Sequence, residues 1–516
     1  MGESTGKVLR DERCSHATIV ASTKLGPAGT YRLCNTVEAV TKSVSRFARA
    51  CSVWAVGLGL AVTPACGHDI HLPQSAGPAT GVPSTTAKQR PAIVAKPLPP
   101  VLPEGDFTPV SRLVDHDIAA HRLPGAVVQV GHGGNIVFRQ AFGSRKLDGE
   151  PAPGGTVSPA EPMTPDTIFD VASLSKPLAT APAVLQLYEQ GKIALEAPVQ
   201  SYFPDFNRAN DPLRAQVTVR MLLTHTSGIG GDLSHEGPWG LTAPDRADGI
   251  RRALSARLEF PPGQGFHYSD VGFVILGALV EKISGEPLDV YVQDHIFAPL
   301  GLADTRYLPV LKSCGLRRIV GNTVTYDQRA SPTACAGGWW DIDLVSRIAP
   351  TAHDYDTPGI NPDYGRLIRG TVHDPTARRM GGVAGSAGVF STATDLGTYA
   401  QALLDRLAGR PSPFPLKQST VKLMTTPQQP ASVTHGSRGF GWDIDTAYSR
   451  PRGAVFPVGS FGHVGFTGVS MWLDPGSNSY VIVLANVIHQ PGGPPVVTLS
   501  GNIATAAARA LHLYGS

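Results

Sequence analysis

Two pairs of strand-like segments, one near each end of the main body of the chain, constrain the fold more than any other feature. Residues 126–130 and 136–142 flank the Gly-rich sequence 132–135, and residues 469–473 and 480–485 flank the turn sequence 474–478. Apolar runs separated by Gly, Asn or Pro-Gly turn residues are typical of antiparallel hairpins. The sequence therefore predicts one antiparallel sheet to which both ends of the body contribute strands.

The middle of the body has helical patterns instead. Apolar residues recur at helical spacing in residues 181–190, 271–283 and 396–407. The last of these runs is preceded by Thr392 and Asp395, which have the spacing of a capping box. The predicted fold class is therefore α/β (α+β): an antiparallel sheet flanked by helices, plus a mostly helical lobe, with the functional site between them.

The composition fits a globular enzyme and argues against nucleic acid as a partner. Of the 516 residues, 42% are hydrophobic and 16% are charged, which allows a large buried core. The net charge of +3 is uneven, because residues 1–100 carry 11 basic and 5 acidic side chains (+6), which leaves −3 for the remainder. Nucleic-acid binding needs a clustered cationic face to neutralise phosphates, and the body has no block of Lys and Arg.

The first hundred residues are predicted to direct export. Residues 1–45 form an N-terminal extension that is either not translated or disordered. Residues 46–66 have a basic start, a short apolar run and small residues, which is the pattern of a signal peptide. If the signal is of the lipoprotein type, lipidated Cys66 attaches the protein to a membrane. The Pro-rich residues 67–105 are a predicted linker, the folded domain spans 106–516, and we expect a periplasmic or envelope-associated location.

Cys314 and Cys335 are the two cysteines of the predicted folded domain. They lie 21 positions apart and are either disulfide-bonded, in an oxidising compartment, or two free thiols. No pair of the six cysteines has the C-x-x-C spacing of a structural zinc site. We therefore expect neither a metal nor a cofactor.

The sequence Ser173-Leu174-Ser175-Lys176 follows an apolar strand-like stretch and precedes a helical pattern, so Ser173 is expected at a helix N-terminus. Positions i and i+3 share a helix face, which brings the Lys176 amine towards the Ser173 hydroxyl. A serine needs a base to act as a nucleophile, and a lysine serves only in its neutral form. Ser419 and Lys422 match the same pattern, but they lack this strand-then-helix setting.

Two further elements follow in order along the chain. Tyr268-Ser269-Asp270 opens the second helical run, where Tyr268 can relay protons and Asp270 can either pair with Lys176 or cap the helix. His463-Val464-Gly465 lies on a predicted inner strand, where Gly465 lets a ligand approach the backbone. Each of these short motifs occurs often by chance, and only their order along the chain indicates a shared active site.

Together these three elements resemble the penicillin-recognising serine hydrolases: class C β-lactamases, D-alanyl-D-alanine carboxypeptidases and family VIII-like esterases. Stretches at 221–228, 367–374, 381–388 and 462–468 are also similar to class C-like bacterial members. The resemblance runs from about Asp106 to the C-terminus and implies a β-lactamase/transpeptidase-like fold. Compared with that family, residues 311–345 look like an insertion at the mouth of the active site, in which Trp339 and Trp340 either contact substrate or anchor the loop.

The resemblance also implies roles for individual residues. Ser173 would be acylated, Lys176 and Tyr268 would share the base and acid roles, and Asp270 would stand in place of the usual Asn. The backbone N–H groups of Ser173 and Phe466 would form the oxyanion hole.

Two positions depart from the family pattern. His463 stands where the family usually has a lysine, and Ser386 stands where close relatives have a histidine. A lysine is cationic at pH 7, whereas an unperturbed histidine is mostly neutral, so the resemblance does not extend to the charge that would bind a substrate carboxylate. Asp270, His463, Gly465 and Phe466 are the predicted substrate-binding residues.

The predicted function is that of a serine hydrolase that forms an acyl-enzyme on a small-molecule or peptidoglycan-derived substrate. The preferred substrate is an amide of the D-Ala-D-Ala or β-lactam type. An esterase acting on small acyl esters is the alternative within the same chemistry. A non-catalytic penicillin-binding sensor on the same fold is the alternative of another class.

Overall fold

The computed structural model describes residues 97–490 and 496–516, which belong to the compact unit Pro91–Ser516. The predicted extension 1–45, the signal peptide 46–66 with Cys66, and the linker as far as residue 96 lie outside the described residues. Within the described ranges, no helix has both the length and the apolar character needed to cross a bilayer.

A central antiparallel sheet of eight strands organises this unit. Its strands, in chain order, are β1 (Gly125–His132), β2 (Asn135–Lys146), β3 (Glu161–Pro162), β4 (Ser437–Arg438), β5 (Asp443–Asp445), β6 (Phe461–Gly465), β7 (Val469–Asp474) and β8 (Ser479–Ala485). Their spatial order is β4-β5-β6-β7-β8-β1-β2-β3. The two predicted hairpins are β1–β2 and β7–β8, and β8 pairs with β1 in a register that places Ala485 opposite Ala126. The prediction that both ends of the body build one sheet is confirmed.

Both faces of the sheet are covered. Along β8, the side chains alternate between a larger core (Tyr480, Ile482, Leu484) and a smaller core (Val481, Val483, Ala485). Since both sets are buried, the strand reads as a continuous apolar run instead of an alternating one.

Helices cover the sheet and build the second lobe. The longer helices are α1 (Thr108–Ala119), α2 (Ala181–Glu189), α3 (Arg246–Ser255), α4 (Asp270–Ser284), α5 (Ala393–Leu407), α6 (Gln418–Thr425) and α7 (Val496–Ala510), and the shorter ones include Val199–Tyr202, Val219–Leu223, Leu288–Val292 and Pro375–Arg379. Helices α1 and α7 pack on the side of the smaller core, and α5 packs on β1 and β8 from the other side. The chain between β3 and β4 supplies the mostly helical lobe, so the predicted fold class is confirmed.

The start of α5 differs in one detail from the predicted capping box. The Thr392 hydroxyl accepts a hydrogen bond from the Asp395 N–H at 3.2 Å. The Asp395 carboxylate does not return the bond, because it accepts from Asp304 N–H and Thr305 Oγ1 instead. A tertiary contact has therefore replaced half of the local motif.

The segment 311–345 contains short strands at Ser313–Cys314, Arg317–Val320, Thr323–Tyr326 and Trp340–Asp341. Of the two alternatives for its cysteines, the structure has the disulfide between Cys314 and Cys335. Trp340 is buried, and its indole N–H donates to the Pro309 carbonyl at 2.9 Å. For Trp340 the loop-anchoring alternative is therefore correct.

Candidate active site

The segment around Ser173 is a tight turn held by a buried carboxylate. Asp170 ends a short strand, and its carboxylate accepts hydrogen bonds from Ala172 N–H at 2.9 Å and from His373 N–H at 2.7 Å. Burial raises the pKa of Asp170 to about 6. Ala172 has φ of 47°, in the left-handed region, a conformation that costs a non-glycine residue about 1–3 kcal/mol. This strained residue directly precedes Ser173.

Ser173 lies in a 3-10 turn (Ala172–Leu174), followed by a π-helical turn (Lys176–Thr180) that leads into α2. The sequence predicted a regular helix N-terminus at this point. Pro177 and Pro182 lack the amide protons that a regular α-helix uses, and the Ala181 N–H instead donates to the Lys176 carbonyl, five residues back. The i to i+3 relation between Ser173 and Lys176 is kept within this irregular helix.

Lys176 uses all three of its ammonium protons. Its fully buried amine donates to Ser173 Oγ at 3.0 Å, to the Ser386 carbonyl at 2.9 Å and to Asp270 Oδ1. Burial, the largest single influence, lowers the pKa of Lys176, but the charge of Asp270 and the contacts with Tyr268 together outweigh it, and the net result is a raised pKa. The lysine is therefore protonated in the free protein, whereas a catalytic base must be neutral.

Tyr268 lies directly over this pair. Its hydroxyl interacts with both Ser173 and Lys176, and the Lys176 amine is 5.1 Å from its ring centroid. Burial raises the pKa of Tyr268, so the phenol is neutral. The ring of His225, a fully buried residue, stacks on Tyr268 with centroids 4.4 Å apart and accepts a hydrogen bond from Ser269 N–H at 3.1 Å. His225 therefore fixes the orientation of the phenol.

Asp270 is not the helix cap. Ser269 caps α4, since its Oγ accepts from Gly272 N–H at 3.1 Å, and this leaves the Asp270 carboxylate free to contact Lys176. Two further carboxyl groups, Asp232 and Asp374, border the same side of the cavity. Burial, together with the charge of Asp270, raises the pKa of Asp374 to about 7.

His463 lies on β6, with its ring centroid 6.1 Å from that of the Tyr268 phenol. Its Nδ1 is 2.7 Å from the Val464 carbonyl. Burial and the charge of Arg438 hold the pKa of His463 well below its ordinary value, so the imidazole is neutral. The position where the family usually has a lysine thus carries no charge.

Gly465 and Phe466 connect β6 to the nucleophile segment. A Cβ atom on Gly465 would lie 2.6 Å from the Val171 carbonyl oxygen. The glycine therefore allows the segment that carries Ser173 to pack closely against β6. The sequence had predicted a ligand contact at this position instead. The Phe466 side chain is 74% exposed, and its ring stacks on that of His373 with centroids 5.9 Å apart. The oxyanion-hole roles of the Ser173 and Phe466 N–H groups remain predictions.

A cavity of about 440 Å³ brings most of these residues together. Five of the seven predicted site residues line it: Ser173, Tyr268, Asp270, His463 and Phe466. Of the other two, Lys176 lies buried behind Ser173, and Gly465 packs against Val171. By contrast, Ser419 and Lys422 are both exposed on α6. The segment 311–345 contributes no residue to this cavity lining, and its expected place at the mouth of the site stays a prediction.

The site residues that were not predicted from the sequence include His225, Asp232, Asp374 and Arg438. His225 and Asp374 lie within the family-like stretches 221–228 and 367–374, which could have directed attention to them. Asp232 and Arg438 lie outside any motif, and only the fold brings them to the cavity.

Comparison with known proteins agrees with this geometry. The sequence profile of the Beta-lactamase family matches residues 110–498. The chain belongs to this family. A putative D-alanyl-D-alanine carboxypeptidase from Escherichia coli (strain K12) is 30% identical over 372 residues, covering 70% of this chain and 77% of the relative. An N-acetylmuramyl-L-alanine amidase from Bacillus subtilis (strain 168) is 30% identical over 392 residues, covering 74% of this chain and 81% of the relative.

Solved structures support the β-lactamase-like fold. EstCE1, a hydrolase with promiscuous acyltransferase activity, matches with a TM-score of 0.54 at 21% identity and covers 77% of this chain and 97% of its own. The octameric penicillin-binding protein homologue from Pyrococcus abyssi matches with a TM-score of 0.54 at 21% identity, covering 79% and 78%. With family and geometry combined, the protein is a hydrolase of the serine type.

Proposed function

We propose that this protein hydrolyses an amide bond of a peptidoglycan stem peptide, or of a β-lactam, through an acyl-enzyme on Ser173. The observation that carries the proposal is the contact of Ser173 Oγ with the buried Lys176 amine at 3.0 Å, directly beneath Tyr268 on the cavity wall. Two bacterial relatives are named a putative D-alanyl-D-alanine carboxypeptidase and an N-acetylmuramyl-L-alanine amidase, and both names describe cleavage of an amide bond.

Proton transfer in this mechanism runs through the Ser173, Lys176 and Tyr268 side chains. Lys176 first loses a proton to solvent, and its neutral amine then accepts the Ser173 proton as Oγ attacks the substrate carbonyl. The Tyr268 hydroxyl donates its proton to the leaving nitrogen and regains one from the Lys176 ammonium. Water then attacks the acyl carbonyl and gives a proton to the Lys176 amine, which is neutral again; Lys176 passes that proton to Ser173 Oγ as the acyl–oxygen bond breaks, so that the acid and free Ser173 are released. Asp270 controls how much neutral Lys176 exists at a given pH, because it stabilises the charged form.

The oxyanion of each tetrahedral intermediate is assigned to the backbone N–H groups of Ser173 and Phe466. Preorganised backbone donors in a cavity shielded from water stabilise developing negative charge strongly. The contact between Gly465 and Val171 supports this assignment, since it holds the end of β6 against the turn that carries Ser173.

A substrate panel tests the proposal. The wild type is expected to release D-alanine from an N-acylated Lys-D-Ala-D-Ala tripeptide or to cleave a muramoyl-L-alanine amide, and to be labelled by a fluorescent penicillin. Ser173→Ala should do neither, whereas Ser419→Ala, at the exposed match to the same motif, should behave as the wild type. Turnover of p-nitrophenyl acetate with no reaction on any amide would contradict the proposal and favour the esterase, for which the neutral His463 is the supporting observation.

We also propose that the protein is exported and acts in the cell envelope, held there by lipidated Cys66. The disulfide between Cys314 and Cys335 supports export, because such bonds persist in oxidising compartments. Cell fractionation tests both parts: the wild type should be in the membrane fraction and Cys66→Ser in the soluble periplasmic fraction. Recovery of the wild type from the cytoplasm would contradict export.

A further inference from the structure

Arg438 is a cavity residue whose charge the surrounding structure leaves largely unpaired. It lies on β4, its side chain is 1% exposed, and the residue lines the same cavity as Ser173 and His463. The guanidinium carbon is 5.3 Å from the Phe266 ring centroid and 5.8 Å from that of Tyr268. Arg438 is thus a buried cation beside the catalytic tyrosine.

Within the described part of the chain, the guanidinium nitrogens Nε and Nη2 of Arg438 have no hydrogen-bond partner. Nη1 is 3.8 Å from Asp443 Oδ1, which is an ion pair without hydrogen-bond contact. Arg379, which is equally buried, differs: its Nε and Nη2 donate to the Asp356 carboxylate, and Nη1 reaches the Trp239 carbonyl. Unpaired donors on a buried charge are costly, so the Arg438 site is complete only with an added acceptor.

The charged and ionisable groups around Arg438 do not supply hydrogen bonds to its Nε and Nη2 atoms. The Asp443 carboxylate accepts from the hydroxyls of Thr446 and Ser449, at 2.9 and 3.2 Å. Two histidines near Arg438, His225 and His463, are held neutral by burial, and the charge of Arg438 lowers their pKa values further. The cavity lining thus combines Arg438, in a long ion pair with Asp443, with the carboxyl groups of Asp232, Asp270 and Asp374.

We propose that Arg438 binds the carboxylate of the substrate, on the residue next to the bond that Ser173 attacks. A guanidinium can donate two parallel hydrogen bonds to a carboxylate, a geometry that a lysine cannot reproduce. The separation of 5.8 Å between the guanidinium and Tyr268 is about the length of one to two residues of extended chain. This inference rests on the proposed function. It makes Arg438 the determinant of specificity for free acids such as a D-Ala-D-Ala terminus or a penicillin, in place of residue 463, where the family usually has a lysine.

The test compares substrates that differ only in this carboxylate. The first pair is the acylated Lys-D-Ala-D-Ala tripeptide, a free acid, and its C-terminal amide. The second pair is an ester, a 3-(acyloxy)benzoic acid, and the corresponding 3-(acyloxy)benzamide, which lacks the carboxylate. For each pair, the ratio of kcat/KM for the acid to kcat/KM for the neutral compound is measured in the wild type, Arg438→Gln and Arg438→Lys. Arg410→Gln, which removes a partly exposed arginine elsewhere on the surface, is the control.

The wild type is expected to prefer the acid at least tenfold. Arg438→Gln should lower the ratio by about 10- to 100-fold, mainly through KM, Arg438→Lys should recover part of it, and Arg410→Gln should leave it unchanged. A wild-type ratio near one overturns the proposal even if Arg438→Gln does not fold, and so does an unchanged ratio in a folded variant. If the protein hydrolyses the esters but none of the amides, the proposed function is contradicted. The role of Arg438 is still tested in that case, because the ester pair also compares an acid with a neutral compound.

Discussion

Removing the negative charge of Asp270 is predicted to lower the pKa of Lys176, so that more of its amine is neutral and can act as a base. Lys176 is fully buried and contacts Asp270 directly. At an effective dielectric constant of about 20, two unit charges 4 Å apart attract by about 4 kcal/mol, which corresponds to about 3 pH units. Asp270→Asn removes this attraction, whereas burial, which lowers the pKa of Lys176, remains and is opposed only by the contacts with Tyr268. The neutral fraction at pH 7 should rise by several hundredfold.

The assay is the pH dependence of kcat/KM for a p-nitrophenyl ester between about pH 6 and pH 10. For the wild type we expect a tenfold rise per pH unit, without a plateau, because Lys176 stays protonated throughout. For Asp270→Asn we expect a plateau within the range and a rate at pH 7 at least tenfold above the wild type, since the weaker basicity of the amine offsets part of the larger neutral fraction.

Asp289→Asn is the matched control, because Asp289 also contacts a lysine, Lys312, and does not line the active-site cavity. Its profile should coincide with that of the wild type. If Asp270→Asn is slower at every pH and its profile keeps the wild-type shape, then Asp270 does not set the charge of Lys176, and the reasoning about the base is wrong.

Two further predictions concern stability. Burial raises the pKa of Asp374 to about 7, so the stability contributed by its proton is complete below about pH 4 and is lost as the pH rises through 7. Asp374→Asn should therefore stabilise the fold by up to about 4 kcal/mol at pH 8 and by much less at pH 5; urea unfolding showing the same difference at both pH values would contradict this. Replacing Cys314 and Cys335 together by Ser should lower the free energy of unfolding by about 3 kcal/mol. Acylation of Ser173 should be unchanged, because the segment 311–345 does not line the cavity. A loss of acylation in the folded variant would show that the segment does affect the active site.

The sheet could be predicted because its signals are local. Apolar runs around Gly133 and Gly134 and around the turn after Asp474 define two hairpins without reference to the rest of the chain. The helix that begins beyond Ser269 was also evident from its apolar pattern and ends at Gly285, which has φ of 79°. Short-range turn chemistry and periodicity suffice for such elements.

The site was less predictable, because its electrostatics depends on contacts distant in sequence. The positions of Ser173, Lys176 and Tyr268 follow from ordered motifs, but the charge of Lys176 depends on Asp270, 94 residues away. Arg438 belongs to a two-residue strand, and nothing in its local sequence distinguishes it from an exposed arginine. The π-helical turn after Ser173 was missed as well, since the two prolines that explain it are also compatible with a regular first turn.

Mass spectrometry of the acylated protein identifies the nucleophile directly. The intact protein is incubated with a penicillin or a slowly hydrolysed ester, quenched in acid and digested. We expect one adduct, on the peptide that contains Ser173, and no adduct in Ser173→Ala. An adduct on another residue, or continued turnover by Ser173→Ala, would contradict the assignment of Ser173 as the nucleophile.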